Sequence, residues 1–240
     1  MRSHLFDKAH TQSDDGRRWS LQNHKMMQVS LGPDVLAAKG VMVAYRGQMR
    51  FTHEGAGSFG RLVKKVLTAE NAPMMRVSGH GQVFFARLAE HVFTVQLEGD
   101  GISVDGQHLL AFDDSVAWDI KRMSGAGMMG GGLFNLQLTG HGTVALTCDG
   151  PPMLIDCSAE PVYVDPHAAV AWTSSLAPRA VNSMNLKSML RGGSGEAVQM
   201  AFHGQGFVVV QPSERRPGET NGKGKGGGGG IGNMVGDFFS

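Results

Sequence analysis

The sequence predicts an all-β fold, a sandwich or pseudo-barrel of repeated antiparallel β modules, and three observations carry that expectation. One short pattern recurs three times, as Val77-Ser-Gly79-His80-Gly81-Gln-Val83, Leu138-Thr-Gly140-His141-Gly142-Thr-Val144 and Phe202-His-Gly204-Gln205-Gly206-Phe-Val208. A self-similar period of about 60 residues marks one structural unit copied in tandem. Second, most apolar runs are short, β-branched or aromatic, and bounded by Gly, Asp or Pro, as strands are. Third, glycine makes up 35 of the 240 residues while charged residues are only 18 %, a balance that suits tight turns better than solvated helices.

Taken in chain order, residues 1–25 form a polar segment with no apolar run after Arg2, so no secretory signal is expected. No stretch reaches the ~20 apolar residues of a membrane span. Three β modules follow, at about 26–98, 99–160 and 161–212. Each holds a polar turn and an apolar run ahead of its Gly-x-Gly strand. The runs aligned by this reading are Val35-Leu36-Ala37, Leu109-Leu110-Ala111 and Ala169-Val170-Ala171. Strands are expected at Val83-Phe-Phe-Ala, Val92-Phe-Thr-Val-Gln-Leu, Phe134-Asn-Leu-Gln-Leu, Val144-Ala-Leu-Thr and Phe207-Val-Val-Val. Phe134, Leu136 and Leu138 alternate with Asn135 and Gln137, the period of a half-buried strand. Gly60-Arg-Leu62-Val63-Lys64-Lys65-Val66-Leu67 has apolar residues on one helical face and predicts a short connector helix. Residues 181–191 are a second, weaker helix candidate. Residues 213–240 are expected to form a flexible glycine-rich tail, Gly222-Lys-Gly-Lys-Gly-Gly-Gly-Gly-Gly, with an apolar tip of Met234, Val235, Phe238 and Phe239.

Chemistry is sparse. The net charge is +1, which exerts little pull on nucleic acid or acidic lipid. The two cysteines, Cys148 and Cys157, do not make a disulfide framework, and a cytoplasmic setting with reduced thiols is expected. Gly55-Ala-Gly57-Ser-Phe-Gly60 fits the G-x-G-x-x-G form ahead of the connector helix, and Arg61, Lys64 and Lys65 add positive charge. Backbone N–H groups there would suit an anion, but the β surroundings are not the βαβ unit of a dinucleotide site. A small-ligand or anion site at Gly55, Gly57, Gly60, Arg61 and Lys64 is therefore carried as an alternative. His80 and His141 hold matched repeat positions, but their third equivalent is Gln205, a poor metal ligand. Asp105 and Asp165 are matched as well, and each precedes Gly or Pro, which is turn chemistry. No catalytic residues, metal or cofactor are assigned.

With the modules laid out, the chain resembles a known family. The residues that carry the likeness are Met42-Val-Ala-Tyr45-Arg-Gly47, the Gly-x-Gly strands with their following apolar runs, and Val164-Asp165 with Val170-Ala-Trp172. They resemble the altered-inheritance-of-mitochondria (AIM) mitochondrial-biogenesis family, over about residues 26–212, in the form found in bacterial members. The resemblance implies a fold like that of the tryptophan RNA-binding attenuator protein, a tendency to form homo-oligomers, and no catalytic residues. The middle residue of Gly-x-Gly, often Pro in the family, is His80, His141 and Gln205 here. The expected function is a non-enzymatic, self-assembling scaffold or adaptor, with a protein partner docking at the tail tip. Nucleic-acid binding, which rests on fold analogy alone, is not expected.

Overall fold

The structure, a computed structural model, describes residues 1–13, 15–54, 74–122, 134–182 and 198–214. Fifteen strands run through these residues: β1 (Trp19–Asn23), β2 (Met26–Leu31), β3 (Val35–Ala38), β4 (Met42–Glu54), β5 (Met74–Phe85), β6 (His91–Val104), β7 (Leu109–Asp113), β8 (Val116–Arg122), β9 (Phe134–Cys148), β10 (Met153–Asp156), β11 (Val162–Val164), β12 (Ala169–Thr173), β13 (Arg179–Asn182), β14 (Val198–Phe202) and β15 (Phe207–Val210). Helical structure among the described residues is limited to three 3-10 turns. Twelve strands form one sheet along β1-β2-β5-β3-β7-β9-β6-β12-β15-β10, with β4 on β5 and β8 on β9; β11, β14 and β13 form a second. Every strand pairing is antiparallel. The chain is all-β, as its alternating short apolar runs require.

The first two modules are organised around the strand that carries Gly-x-Gly, β5 and β9; in the third, Gly204-Gln205-Gly206 lies between β14 and β15, which together take that place. One flank of that strand is β2 and β3 in the first module, the single strand β6 in the second, and β10 and β11 in the third. The other flank is β4, then β7 and β8, then β12 and β13. The register shows the repeat residue by residue. Tyr45 lies opposite Val83, Phe112 opposite Val144 and Trp172 opposite Val208. A bulge sits at the same place in all three flanks, between Met42 and Ala44, Leu109 and Ala111, and Ala169 and Ala171.

This register revises the alignment drawn from sequence. The partners of Leu109-Leu110-Ala111-Phe112 and Ala169-Val170-Ala171-Trp172 are Met42-Val43-Ala44-Tyr45, whereas Val35-Leu36-Ala37 matches Ile102-Ser103-Val104 and Val162-Tyr163-Val164. Short apolar runs look alike, and only pairing distinguishes them. The module junctions then fall in the turns at 86–90 and 149–152. The expected boundary at 98/99 lies inside β6, which is continuous from His91 to Val104. The segment read as a polar N-terminus contains β1, which pairs with β2. Residues 181 and 182 of the weaker helix candidate belong to β13, and the rest of it, like the connector helix at 60–67, lies outside the described residues.

Successive modules interlock. In the first junction β3 pairs with β7, and in the second β6 pairs with β12. The core follows. The first module's cluster takes in Leu110, Ala111 and Ala145 of the second. The second's takes in Leu36 and Met74 from one side and Val170, Ala171 and Val209 from the other. Among the described residues, the third cluster draws only on those from 155 to 210. The three units are joined in series.

Polar contacts reinforce the first junction. Asp113 Oδ1 accepts from Arg18 Nε at 3.1 Å and Trp19 Nε1 at 3.0 Å, and Oδ2 accepts from the Thr143 backbone N–H at 2.8 Å. One carboxylate thus ties β1 to the second module and takes up the Thr143 N–H of β9. Thr173 makes the equivalent backbone contact in the third module, its Oγ1 accepting from the Phe207 N–H at 3.0 Å. Asp113→Ala strands these donors, so it is expected to cost about 2 kcal/mol in urea unfolding followed by tryptophan fluorescence. A loss indistinguishable from zero would remove Asp113 from this role. Arg76 bridges Glu54, Asp34 and Asp114 at 3.0, 3.3 and 2.7 Å, joining β5 of the first module to the β7–β8 turn of the second.

Candidate interaction surface

The sequence-derived site residues fall largely beyond what the structure describes. Gly55, Gly57, Gly60, Arg61 and Lys64 lie outside the described residues, as do Met234, Val235, Phe238 and Phe239 of the tail. His80 and His141 are exposed strand residues, opposite Gln48 and Glu98 respectively. Asp105 and Asp165 close turns by accepting from the N–H groups of Gln107 at 2.9 Å and His167 at 2.7 Å.

The interior polar groups serve the framework. His108 is buried, with Nδ1 at 2.8 Å from the Thr147 carbonyl oxygen. Burial pushes the Arg87 guanidinium pKa down, and the nearby Glu90 and Asp105 carboxylates oppose that shift; Arg87 donates to the Gln107 carbonyl. Both cysteines are buried and free. Burial pushes the Cys148 thiol up to about 12, with Glu90 and Asp149 adding to the shift, and it raises Cys157 as well. A thiol so protonated is a poor nucleophile. Iodoacetamide at about pH 8 is expected to leave both cysteines of the folded chain unlabelled and to modify both in denaturant; native labelling would refute this. The sign of the linkage is fixed too. Above the ordinary thiol value of 9.0 the unfolded chain loses a proton that folded Cys148 keeps, so stability falls as pH rises.

An open hollow of about 480 Å³ lies between two turns and is lined by Asn23, His24, Lys25, Met26, Ala86 and Ala89. Leu88 and Ala89 in the second turn adopt left-handed φ values of 46° and 57°.

The feature that demands an account is apolar surface on unpaired strand edges. Within the series, the second and third modules have their Leu109–Asp113 and Ala169–Thr173 strands covered by a neighbour. The first module's equivalent, the start of β4, pairs only with β5 among the described residues. Its side chains show the difference. Leu110 and Phe112 are each 0 % exposed and Val170 and Trp172 are 0 % and 3 %, while Val43 and Tyr45 are 52 % and 51 %. The opposite end of the series mirrors this. Leu36 and Ser103 are 2 % and 4 % exposed, and their equivalent, Tyr163 on β11, is 59 %. β11 pairs only with β14 among the described residues. Edge strand β10 exposes Met153 and Leu154 as well. Unpaired edges with apolar side chains are templates for another strand, and exposed apolar surface of this kind marks interaction sites. Sequence reasoning used Val43 and Tyr45 only as part of the family likeness, and it placed neither them nor Tyr163 on a surface. The signal was the match of Met-Val-Ala-Tyr with Leu-Leu-Ala-Phe and Ala-Val-Ala-Trp, which the earlier alignment had displaced.

Comparison with known proteins places this architecture. The family model described as "Mitochondrial biogenesis AIM24" matches residues 19–213, from the first residue of β1 to just past β15. The chain belongs to the AIM24 family. No curated protein matches it. Among solved structures, it is similar to the X-ray crystal structure of protein SPYM3_0169 from Streptococcus pyogenes, with 20 % sequence identity and a TM-score of 0.64. That match covers 81 % of this chain and 92 % of the other. At this identity the likeness concerns the fold. The AIM24 match takes in β1, in agreement with the pairing of β1 to β2. No helix among the described residues is long and apolar enough to cross a membrane.

Proposed function

We propose that this AIM24-family protein is a non-enzymatic, self-assembling scaffold. One observation carries the reading: the series of modules ends on both sides in strands whose apolar side chains are exposed and whose outer backbone edges have no strand partner among the described residues. Such ends are costly to leave in water and are satisfied by strand addition. The family's link to mitochondrial biogenesis suits a protein that organises others. The tail, a glycine tether with Met234, Val235, Phe238 and Phe239 at its tip, is left to capture a protein partner. Buried, unpaired thiols suit a reducing compartment such as the cytoplasm.

The test is the absolute mass of the full chain, and of a form ending at residue 212, by light scattering over a range of concentrations. A mass above the monomer in both forms is expected, because assembly resides in the β modules. A monomer throughout would refute the scaffold reading; assembly lost only with the tail would move it from the modules to the tip.

A further inference from the structure

We infer that the two ends of the module series are the two halves of one more junction, and that a second copy of this chain completes it. β11 of one molecule adds, antiparallel, to the start of β4 of the next. This deepens the self-assembly reading, on which it rests, by naming the surface and its partner.

The argument is the register. In the first junction Val35 pairs with Asp113, Leu36 with Phe112 and Ala37 with Ala111. In the second Ile102 pairs with Thr173, Ser103 with Trp172 and Val104 with Ala171. The left-hand residues hold equivalent places, because Val35, Ile102 and Val162 each lie opposite the residue two before the first glycine: Val77, Leu138 and Phe202. The right-hand residues do as well, because the second glycine of each motif abuts the same repeat position: Arg46 beside Gly81, Asp113 beside Gly142 and Thr173 beside Gly206. Continuing the series pairs Val162 with Arg46, Tyr163 with Tyr45 and Val164 with Ala44 of a second copy.

The chemistry repeats with the register. The first position sets a β-branched apolar residue (Val35, Ile102, Val162) against a polar one (Asp113, Thr173, Arg46). The second sets an aromatic (Phe112, Trp172, Tyr45) on the receiving strand. The third receives alanine each time (Ala111, Ala171, Ala44), which lets the backbones approach. Both occupied junctions bury the receiving aromatic, and the unoccupied one leaves Tyr45 and Tyr163 more than half exposed. The surface is thus continuous with two interfaces the chain already makes with itself. It joins unlike faces, so it is a head-to-tail contact that continues beyond a dimer.

Lysine on an edge strand opposes strand addition. Tyr163→Lys and Tyr45→Lys therefore each disable one half-junction and leave the other intact. At concentrations where the parent sediments above monomer, each variant alone is expected to return to the 25.6 kDa monomer. An equimolar mixture is expected to form dimers and nothing larger, since the intact β4 edge of one accepts the intact β11 of the other. Both tyrosines are exposed, and far-UV circular dichroism checks the fold; should Tyr45→Lys not fold, Val43→Lys probes the same edge. Variants that assemble like the parent would overturn the junction while leaving self-assembly standing. Monomeric variants whose mixture stays monomeric would overturn the head-to-tail pairing. A parent that is monomeric throughout would remove both this junction and the scaffold reading.

Discussion

Gly81→Ala is expected to cost about 4 kcal/mol or more, enough to unfold a domain of ordinary stability. Gly81 has φ +137°, and a Cβ there would run into the Arg46 carbonyl oxygen and the Gly47 Cα across the β4–β5 pair. Strain for a side chain in such a conformation is about 1–3 kcal/mol. The clash adds to it, because the obstructing atoms are backbone and cannot rotate away. The repeat supplies internal controls. At Gly142, φ +150°, a Cβ would meet side-chain atoms, Val116 Cγ2 at 2.8 Å and Ser115 Oγ at 3.0 Å. At Gly140, φ +111°, the nearest atom is 3.8 Å away. Chemical unfolding of the three alanine variants should therefore rank Gly81 as most destabilised, Gly142 next and Gly140 least. Equal losses at all three would mean that φ alone, and not the approach of β4, dictates the glycines.

Phe112→Ala should lose about 3–5 kcal/mol, while Tyr45→Ala, at the equivalent place one module earlier, should lose under about 0.5 kcal/mol of monomer stability. Phe112 is fully buried where β3, β7 and β9 meet, in the cluster that also takes in Leu36, Val144 and Val170. Tyr45 has the same strand register but no covering strand among the described residues. Its ring makes an edge-on contact with Phe51 at 5.1 Å between centroids, and the residue is half exposed. Thermal or urea unfolding in dilute solution, where association is absent, separates the two. A large loss at Tyr45 under those conditions would mean that the edge is covered within the monomer, and the interaction surface would be wrongly placed.

Much of the architecture was legible beforehand. Short alternating runs such as Phe134 to Leu138 admit only strands, and the tandem glycines announced repeated modules. The family resemblance is borne out by the family model, which matches residues 19–213. Other features were hidden for identifiable reasons. Trp19–Asn23 reads as polar because only Ser20 of that strand is buried; its place in the sheet comes from pairing with β2 and from anchorage on Asp113. The interaction surface escaped notice because an exposed tyrosine and a buried one are the same letter. Tyr45 could be told from Phe112 and Trp172 only by knowing which strands have neighbours.

Composition and periodicity were enough to dictate strands, turns and a threefold internal repeat, since these depend on local geometry and on the alternation of apolar side chains. Tertiary structure alone decided which run pairs with which, and therefore where the series stops. A register is a long-range property: two apolar tetrads seven residues apart, Val35-Leu36-Ala37-Ala38 and Met42-Val43-Ala44-Tyr45, satisfy the same local rules. Only the backbone partners across the sheet give the first a covered place in a junction and leave the second open to water.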